Sequence, residues 1–113
     1  MTTRQPLRGI AGLTMPRRAA KVDANHTEIV QDLRRYGFDV YDMSRVGQGF
    51  PDLLVCAHKK WILLEVKDGA KSPSERRLTE AQERFHKACK GPLAVVLSRG
   101  DAIQACEAMR AGL

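Results

Sequence analysis

The amino-acid sequence predicts a single α/β domain with a mixed α+β sheet, whose elements follow the order α-β-β-β-α-β-α. Its 113 residues suffice for one modest hydrophobic core and are too few for two. Two short apolar segments on either side of a basic turn predict a β-hairpin in the middle of the chain. A later strand-helix-strand pattern predicts a crossover connection, so the sheet should be mixed and packed against helices.

The first helix is predicted over residues 25–36, where Asp23 or Asn25 can cap its start and Gly37 ends it. Residues 38–44 alternate between apolar and polar side chains, as in a strand with one face in water. Residues 45–51 contain two glycines and a proline and are predicted to form a loop. The apolar stripe of the helix consists of Ile29, Val30, Leu33 and Tyr36.

The hairpin is predicted from residues 52–57 and 61–66, which are apolar enough to be strands buried on both faces. Residues 68–77 follow as a polar, basic loop. Residues 92–98 predict a further buried strand, and residues 101–111 predict a closing helix. The inward side chains of that closing helix are Ala102, Ile103, Cys106 and Met109.

Thr79 begins the middle helix with a Thr-x-x-Gln capping box that includes Gln82. In such a box the threonine side chain accepts a hydrogen bond from the helix backbone, and the glutamine returns one to the threonine backbone. The apolar stripe of this helix consists of Leu78, Ala81, Phe85 and Ala88.

The net charge of +6 is unevenly distributed along the chain. The first 21 residues carry five basic side chains and no acidic one. We therefore divide the chain into a basic N-terminal arm, residues 1–22, and a folded domain, residues 23–113. Such an arm suits a polyanionic partner, because each basic contact to a phosphate releases a counterion. A solubilising tail explains the same composition equally well.

No apolar segment is long enough to span a membrane, and the N-terminus lacks the apolar core of a secretory signal. A cytoplasmic protein with no membrane partner is therefore the expectation. The cysteines Cys56, Cys89 and Cys106 form an odd set without CxxC spacing and are expected to be reduced packing residues. The histidines show no zinc-ligand spacing either.

Two acids interrupt the predicted hairpin: Asp52 lies at its start and Glu65 near its end. If the turn contains an even number of residues, Ala57 pairs with Lys60 and Asp52 lies opposite Glu65. Their Cβ atoms would then be about 4.5–5.5 Å apart, a separation at which like charges destabilise a sheet. A divalent cation such as Mg²⁺ would relieve that repulsion. A slip of one residue in the register would place the two acids on opposite faces.

Lys67 follows on the same face of the strand as Glu65, two residues along. Simpler interpretations of these residues remain open. Asp52 is also suited to the transition from loop to strand. Glu65 and Lys67 are also suited to a surface ion pair, which would contribute only about 0–1 kcal/mol. Taken together, these interpretations do not explain why both acids interrupt the most apolar strands of the chain.

The segments Pro51-Asp52 and Glu65-Val66-Lys67 resemble the motif of the PD-(D/E)xK nuclease superfamily. Within it, residues 25–109 are most similar to the VRR-Nuc domain, through "GFPDLLV", "WILLEVK" and "RLTEAQERF". The resemblance implies a restriction-endonuclease-like α-β-β-β-α-β core with a C-terminal helix.

The resemblance also implies roles for individual residues. Asp52, Glu65 and the Val66 carbonyl would bind the catalytic metal, and Lys67 would position or deprotonate the attacking water. Gln82 would support the site from the middle helix, and Glu28 would help to organise metal and water. For Gln82 and Glu28, a capping box explains the same positions without a catalytic role.

The implied activity is Mg²⁺-dependent DNA endonuclease cleavage, with Mn²⁺ as a substitute and no nucleotide cofactor. The resemblance implies a homodimer, encoded by a phage or a bacterial host, that acts on four-way (Holliday) junctions or other branched DNA. A nuclease of flap, nicked or linear duplex DNA and a non-catalytic DNA-binding module remain alternatives. Residues on two loops are predicted to contact DNA: Ser44, Arg45, Gly47, Gln48, Gly49, Lys71, Arg76 and Arg77. The glycines of this set are equally suited to a tight turn, and its basic residues to a solvated surface.

Overall fold

The computed structural model of the chain describes residues 22–111, so the predicted arm lies outside the described residues except for Val22. The predicted order of elements is confirmed. The α-helices are α1 (His26–Arg35), α2 (Glu80–Ala88) and α3 (Arg99–Ala108). The strands are β1 (Asp39–Asp42), β2 (Leu53–Ala57), β3 (Lys60–Val66) and β4 (Leu93–Val96). Short 3₁₀ helices cover Pro73–Arg76 and Met109–Ala111.

The strands form one mixed sheet in the order β1-β2-β3-β4. The pairs β1/β2 and β2/β3 are antiparallel, whereas β3 and β4 are parallel and are joined through α2. The predicted mixed α+β sheet is therefore confirmed. Within residues 22–111, no helix has the length and apolar character needed to cross a bilayer.

The hairpin has the predicted register, in which Ala57 pairs with Lys60 and Leu53 with Leu64. His58 and Lys59 form the two-residue turn, and both have positive φ angles, 54° and 67°. Two successive positive φ values suit a hairpin, because the backbone twist of such a turn matches that of the strands. One step beyond the Leu53–Leu64 pair, the same register brings Asp52 opposite Glu65.

One face of the sheet and the two helices α1 and α3 enclose the hydrophobic core. Alternate residues of β2 and β3 point into it, as the two-residue repeat of a strand requires. Completely burying one leucine or isoleucine contributes about 1.5–3 kcal/mol, so this face determines which register is stable. The largest fully buried aliphatic side chains of the core are Ile29, Leu33, Leu53, Leu64, Val55, Val66 and Val96.

The opposite face of the sheet is only partly covered, so the prediction that the hairpin strands are buried on both faces is wrong. Tyr41, Trp61 and Val95 on this face are 52%, 49% and 43% exposed. The cause is the short helix α2, nine residues long, which lies over one end of the face and has no fully buried residue. The predicted apolar stripe of α2 is confirmed at Phe85, whose ring packs against Phe50. It is wrong at Ala88, which is exposed.

The closing helix α3 begins two residues before the predicted start. Ser98 is its N-cap, and the Ser98 hydroxyl accepts a hydrogen bond from the Asp101 amide at 3.1 Å. A serine at this position satisfies an amide that the first helical turn leaves unpaired. The α-helical geometry ends at Ala108, and a 3₁₀ turn continues to Ala111.

Gly49 holds the loop before β2 tightly against the start of α2. Its φ is +84°, and a Cβ atom there would lie 2.3 Å from the Ala81 carbonyl oxygen. The neighbouring Gly47 also has a positive φ, +74°, but a Cβ atom there would have no atom within 4 Å. Gly49 therefore determines how closely α2 approaches the sheet.

We expect Gly49→Ala to destabilise the protein more than Gly47→Ala. Both substitutions force a left-handed backbone on alanine, which costs about 1–2 kcal/mol. Only Gly49→Ala also forces α2 away from the loop, which should add about 1–3 kcal/mol to the loss in free energy of unfolding. Urea unfolding followed by circular dichroism measures both losses, and equal losses would contradict a close approach at Gly49.

Candidate functional site

Four of the predicted site residues converge at the end of the sheet that α2 covers, and Gln82 connects them. The Gln82 side-chain nitrogen donates a hydrogen bond to Glu65 Oε2 at 3.1 Å. Its side-chain oxygen accepts one from Lys67 Nζ at 2.9 Å. The register of the hairpin brings Asp52 to the same place. The structure thus groups Asp52, Glu65, Lys67 and Gln82.

The two predicted uses of Gln82 coexist. Its side-chain oxygen also accepts a hydrogen bond from the Thr79 amide at 2.9 Å, and its own amide donates to the Thr79 hydroxyl at 3.1 Å. A carboxamide offers two lone pairs and two N–H groups, so one side chain can serve the cap and the site at once. The capping box therefore fixes the rotamer that reaches the strand residues.

The two carboxylates occupy unlike environments. Asp52 is partly exposed, and its Oδ2 accepts a hydrogen bond from the Val66 amide at 2.8 Å. Glu65 is 1% exposed. Burial, followed by the charge of Asp52 and a hydrogen bond with it, raises the pKa of Glu65 to about 8, although Lys67 acts in the opposite direction. In the absence of a cation, the pair therefore tends to share one proton.

The oxygen atoms of this pair suit a hard divalent cation. Glu65 Oε1 is buried and has no hydrogen-bond partner within residues 22–111. A strand residue presents its N–H and C=O to the same neighbouring strand, so the Val66 carbonyl is directed towards the Asp52 side. Among residues 22–111, no three histidine, cysteine or acidic side chains are grouped to hold a metal. Mg²⁺ is commonly held by only one or two carboxylates, with water and substrate oxygens completing its shell. The donor set fits this mode of binding.

Glu28 does not join the group around Gln82. Its carboxylate lies 3.3 Å from Arg99 Nε, and its side chain is 54% exposed. Arg99 also contacts Asp32 at 3.3 Å, so Glu28 belongs to a surface ion-pair network between α1 and α3. A direct role for Glu28 at the carboxylate pair is therefore not supported by its position.

Asn25 connects α1 to the site, a function that the sequence did not reveal. It occupies the N-cap position of α1, but its side chain makes no capping hydrogen bond, so a capping box with Glu28 is not formed. Its Nδ2 instead donates to the carbonyls of Lys67 and Leu97, at 3.2 and 3.1 Å. A local sequence pattern predicts only a cap at Asn25. It cannot reveal these two carbonyl partners, because they are 42 and 72 residues away in the sequence.

His86 is another residue of the site that was not predicted from the sequence. Its Nε2 lies 3.8 Å from Glu65 Oε1, and both atoms are buried without a hydrogen-bond partner in the described part of the chain. Burial, and then the charge of Lys67, lowers the pKa of His86 below its ordinary value. The available signal was its position four residues after Gln82, which places both side chains on one face of α2.

Within the first predicted DNA-contact loop, Ser44 and Gly49 serve the fold. The Ser44 hydroxyl and amide donate to Asp42 Oδ1 at 2.6 and 2.9 Å, and Asp42 Oδ2 pairs with His26. Partial burial acts to raise the pKa of Asp42, but these hydrogen bonds outweigh it and lower the pKa. Gly49 packs against α2, as described above. The exposed members of this loop are Arg45, Gly47 and Gln48.

The basic residues of the second predicted DNA-contact segment lie between Lys67 and α2. Lys71 is 48% exposed and approaches Asp23 at 3.8 Å. Arg76 is half-buried and donates through Nε to the Lys71 carbonyl at 2.9 Å, whereas Arg77 is exposed. Arg76 is therefore partly committed to the segment itself, whereas the charges of Lys71 and Arg77 lie at the surface.

Comparisons with protein-family models, with curated proteins and with solved structures found no match to this chain. The site is therefore characterised by its own geometry: the buried Glu65, the partly exposed Asp52, a lysine and a glutamine meet at one end of the sheet. Each of these four residues was predicted from the sequence.

We expect the metal-free protein to lose stability, relative to Glu65→Gln, as the pH rises from about 4.5 to about 8. The pKa of Glu65 is raised in the folded state, so folding favours its protonated form and disfavours ionisation above the unfolded pKa. Glutamine resembles the protonated acid, because it can donate to Asp52 and still accept from Gln82.

The measurement is urea unfolding of both proteins in chelator at several pH values. The difference in free energy of unfolding should change in favour of Glu65→Gln by on the order of 1 kcal/mol per pH unit within this range. It should level off above the folded pKa. Parallel curves for the two proteins would show that Glu65 ionises as readily in the folded state as in the unfolded state.

Proposed function

We propose that this protein is a divalent-cation-dependent DNA endonuclease that hydrolyses phosphodiester bonds. The observation that carries the proposal is the buried Glu65 beside the partly exposed Asp52, with one Glu65 oxygen lacking a hydrogen-bond partner among residues 22–111. A buried acid next to a second acid destabilises a fold unless a proton or a cation lies between them. A cation-binding function explains why the pair occurs in the central strands of the sheet.

In this proposal Asp52, Glu65 and the Val66 carbonyl hold Mg²⁺, or Mn²⁺ in its place. When bound, such an ion supplies a more acidic water and neutralises charge that develops on the phosphate. The protein contributes a rigid arrangement of these oxygens, because β2 and β3 are paired along their length and Val66 is tied to Asp52. Rigid placement of ligands is what preorganises such a site.

Lys67 is the proposed contact to the phosphate and to the attacking water. Gln82 holds its ammonium group at 2.9 Å, beside the carboxylate pair rather than in solvent. An ammonium group donates up to three hydrogen bonds, so the contact with Gln82 leaves donors for substrate oxygens. Gln82 is thus a positioning residue for both Lys67 and Glu65.

DNA is the proposed substrate because the loop before Asp52 and the segment after Lys67 both carry exposed basic groups. Arg45 and Arg77 are exposed, and the chain as a whole carries an excess of six positive charges. Contacts of this kind bind phosphates without reading bases. The preference for four-way or other branched DNA, the homodimer and the restriction-endonuclease-like topology are proposals that rest on the motif resemblance.

A non-catalytic DNA-binding module is the rival function. A protein of that kind gains nothing from the acid pair, because Asp52 and Glu65 repel phosphate and Glu65 is costly to bury. Binding by phosphate contacts alone should also weaken slightly when Mg²⁺ is added, because salt screens the attraction. The nuclease proposal instead requires a cation for activity.

The deciding experiment is cleavage of an end-labelled synthetic four-way junction, with linear duplex and flap DNA as parallel substrates. We expect cleavage in Mg²⁺ and Mn²⁺, none in chelator, and none with Glu65→Gln. Paired cuts in the junction alone would support the branched-DNA preference, whereas cuts in every substrate would retain the nuclease and overturn that preference. Tight, metal-independent binding without any cut would instead favour the binding module.

We expect Lys67→Ala to lower the cleavage rate by about 10²-fold or more while leaving the Kd for DNA nearly unchanged. Lys60→Ala is the matched control, because Lys60 is an exposed lysine at the opposite end of β3. Single-turnover cleavage and a binding titration in Ca²⁺ separate the two effects. Equal rates for Lys67→Ala and Lys60→Ala would remove Lys67 from the proposed mechanism.

A further inference from the structure

We propose that His86 is a positioning residue that holds a water molecule against Glu65 at the edge of the carboxylate pair. This inference rests on the proposed nuclease function and extends it by one residue that lies outside the Asp52–Glu65–Lys67–Gln82 group. It assigns no proton transfer to His86. The imidazole fixes where the water lies, and Glu65 supplies the second hydrogen-bond partner.

The separation between the two side chains carries the inference. His86 Nε2 and Glu65 Oε1 are 3.8 Å apart, which is too far for a direct hydrogen bond. Both atoms are buried and lack a partner among residues 22–111. Buried polar atoms rarely stay unpaired, and a contact longer than about 3.5 Å is commonly bridged by water. A water oxygen about 2.8 Å from each of these two atoms is compatible with their separation of 3.8 Å.

The chemistry of both partners suits one water. A carboxyl oxygen of Glu65 either accepts a hydrogen bond from it or, when protonated, donates one, and an imidazole nitrogen likewise either donates to the water or accepts from it. A single bridging water thus gives a hydrogen-bond partner to both buried atoms, which are too far apart to bond to each other.

The position of this water is tied to the proposed reaction. Glu65 Oε1 is also the carboxylate oxygen that we assign to the cation, because Oε2 is occupied by Gln82. A water on Oε1 thus lies beside the cation position and close to Lys67. His86 is held there by α2, whose start is fixed by the Thr79 cap and by the close approach of Gly49.

Three substitutions of His86 separate positioning from packing. His86→Gln keeps a polar atom near the position of Nε2, His86→Asn keeps one near Nδ1 only, and His86→Phe keeps the ring and removes both nitrogens. We expect His86→Asn and His86→Phe to lower kcat on the cleaved DNA by about 10²-fold, with KM and the midpoint of thermal unfolding unchanged. His86→Gln should recover kcat to within about tenfold of the unsubstituted protein.

The opposite results would overturn the inference. Full activity of His86→Phe would exclude a role for the imidazole nitrogen. Equal losses in all three variants, accompanied by a lower unfolding midpoint, would show that His86 only packs. These outcomes can be observed only with an active enzyme, so we add a second measurement that does not depend on activity.

A crystal structure of the metal-free protein at a resolution that shows ordered water is that second measurement. We expect one water within hydrogen-bond distance of both His86 Nε2 and Glu65 Oε1, and its loss in His86→Phe. A dry gap, or a direct hydrogen bond between the two side chains, would reject the inference. If the water is present but no DNA is cleaved, the proposed nuclease function is wrong, whereas the water bridge between His86 and Glu65 is confirmed.

Discussion

The side-chain amide of Gln82 is the contact on which the candidate site depends. It closes the capping box of α2 through Thr79, binds the Lys67 ammonium and donates to Glu65. Secondary structure and site are therefore stabilised by the same group. If Gln82 turned away, the start of α2 would lose a capping hydrogen bond, Lys67 would lose its anchor, and a buried oxygen of Glu65 would lose its donor. Such coupling gives the site one geometry rather than several.

The sheet provides the rigid frame for an electrostatically unfavourable pair. Asp52 and Glu65 would repel one another less if the hairpin slipped by one residue. That slip would move the apolar residues of β2 and β3 out of the core and their half-exposed neighbours into it. Since each large apolar side chain contributes about 1.5–3 kcal/mol on burial, the core enforces the juxtaposition. The free energy that keeps Asp52 adjacent to Glu65 thus comes from burial of apolar side chains on the other face of the same strands.

Much of this arrangement could be predicted because it follows from local rules. Alternating residues predicted β1, continuous apolar runs predicted the other strands, the even turn brought Asp52 opposite Glu65, and the Thr79–Gln82 spacing located α2. The contacts of Asn25 and His86 could not be predicted, because each depends on partners brought near by tertiary packing. Both-face burial was wrongly expected for the hairpin, since composition does not show that a helix of nine residues covers only one end of a sheet.

The partly covered sheet face has a spectroscopic consequence. Trp61 is the single tryptophan of the chain, and it is half-exposed on this face, 6.0 Å from the ring of Tyr41. Its fluorescence therefore reports on the uncovered surface and not on the core that α1 and α3 enclose. Emission should change little on loosening of that core, and strongly when another molecule covers the strands. This natural chromophore thus lies where contacts of the sheet with other molecules can be observed without labelling.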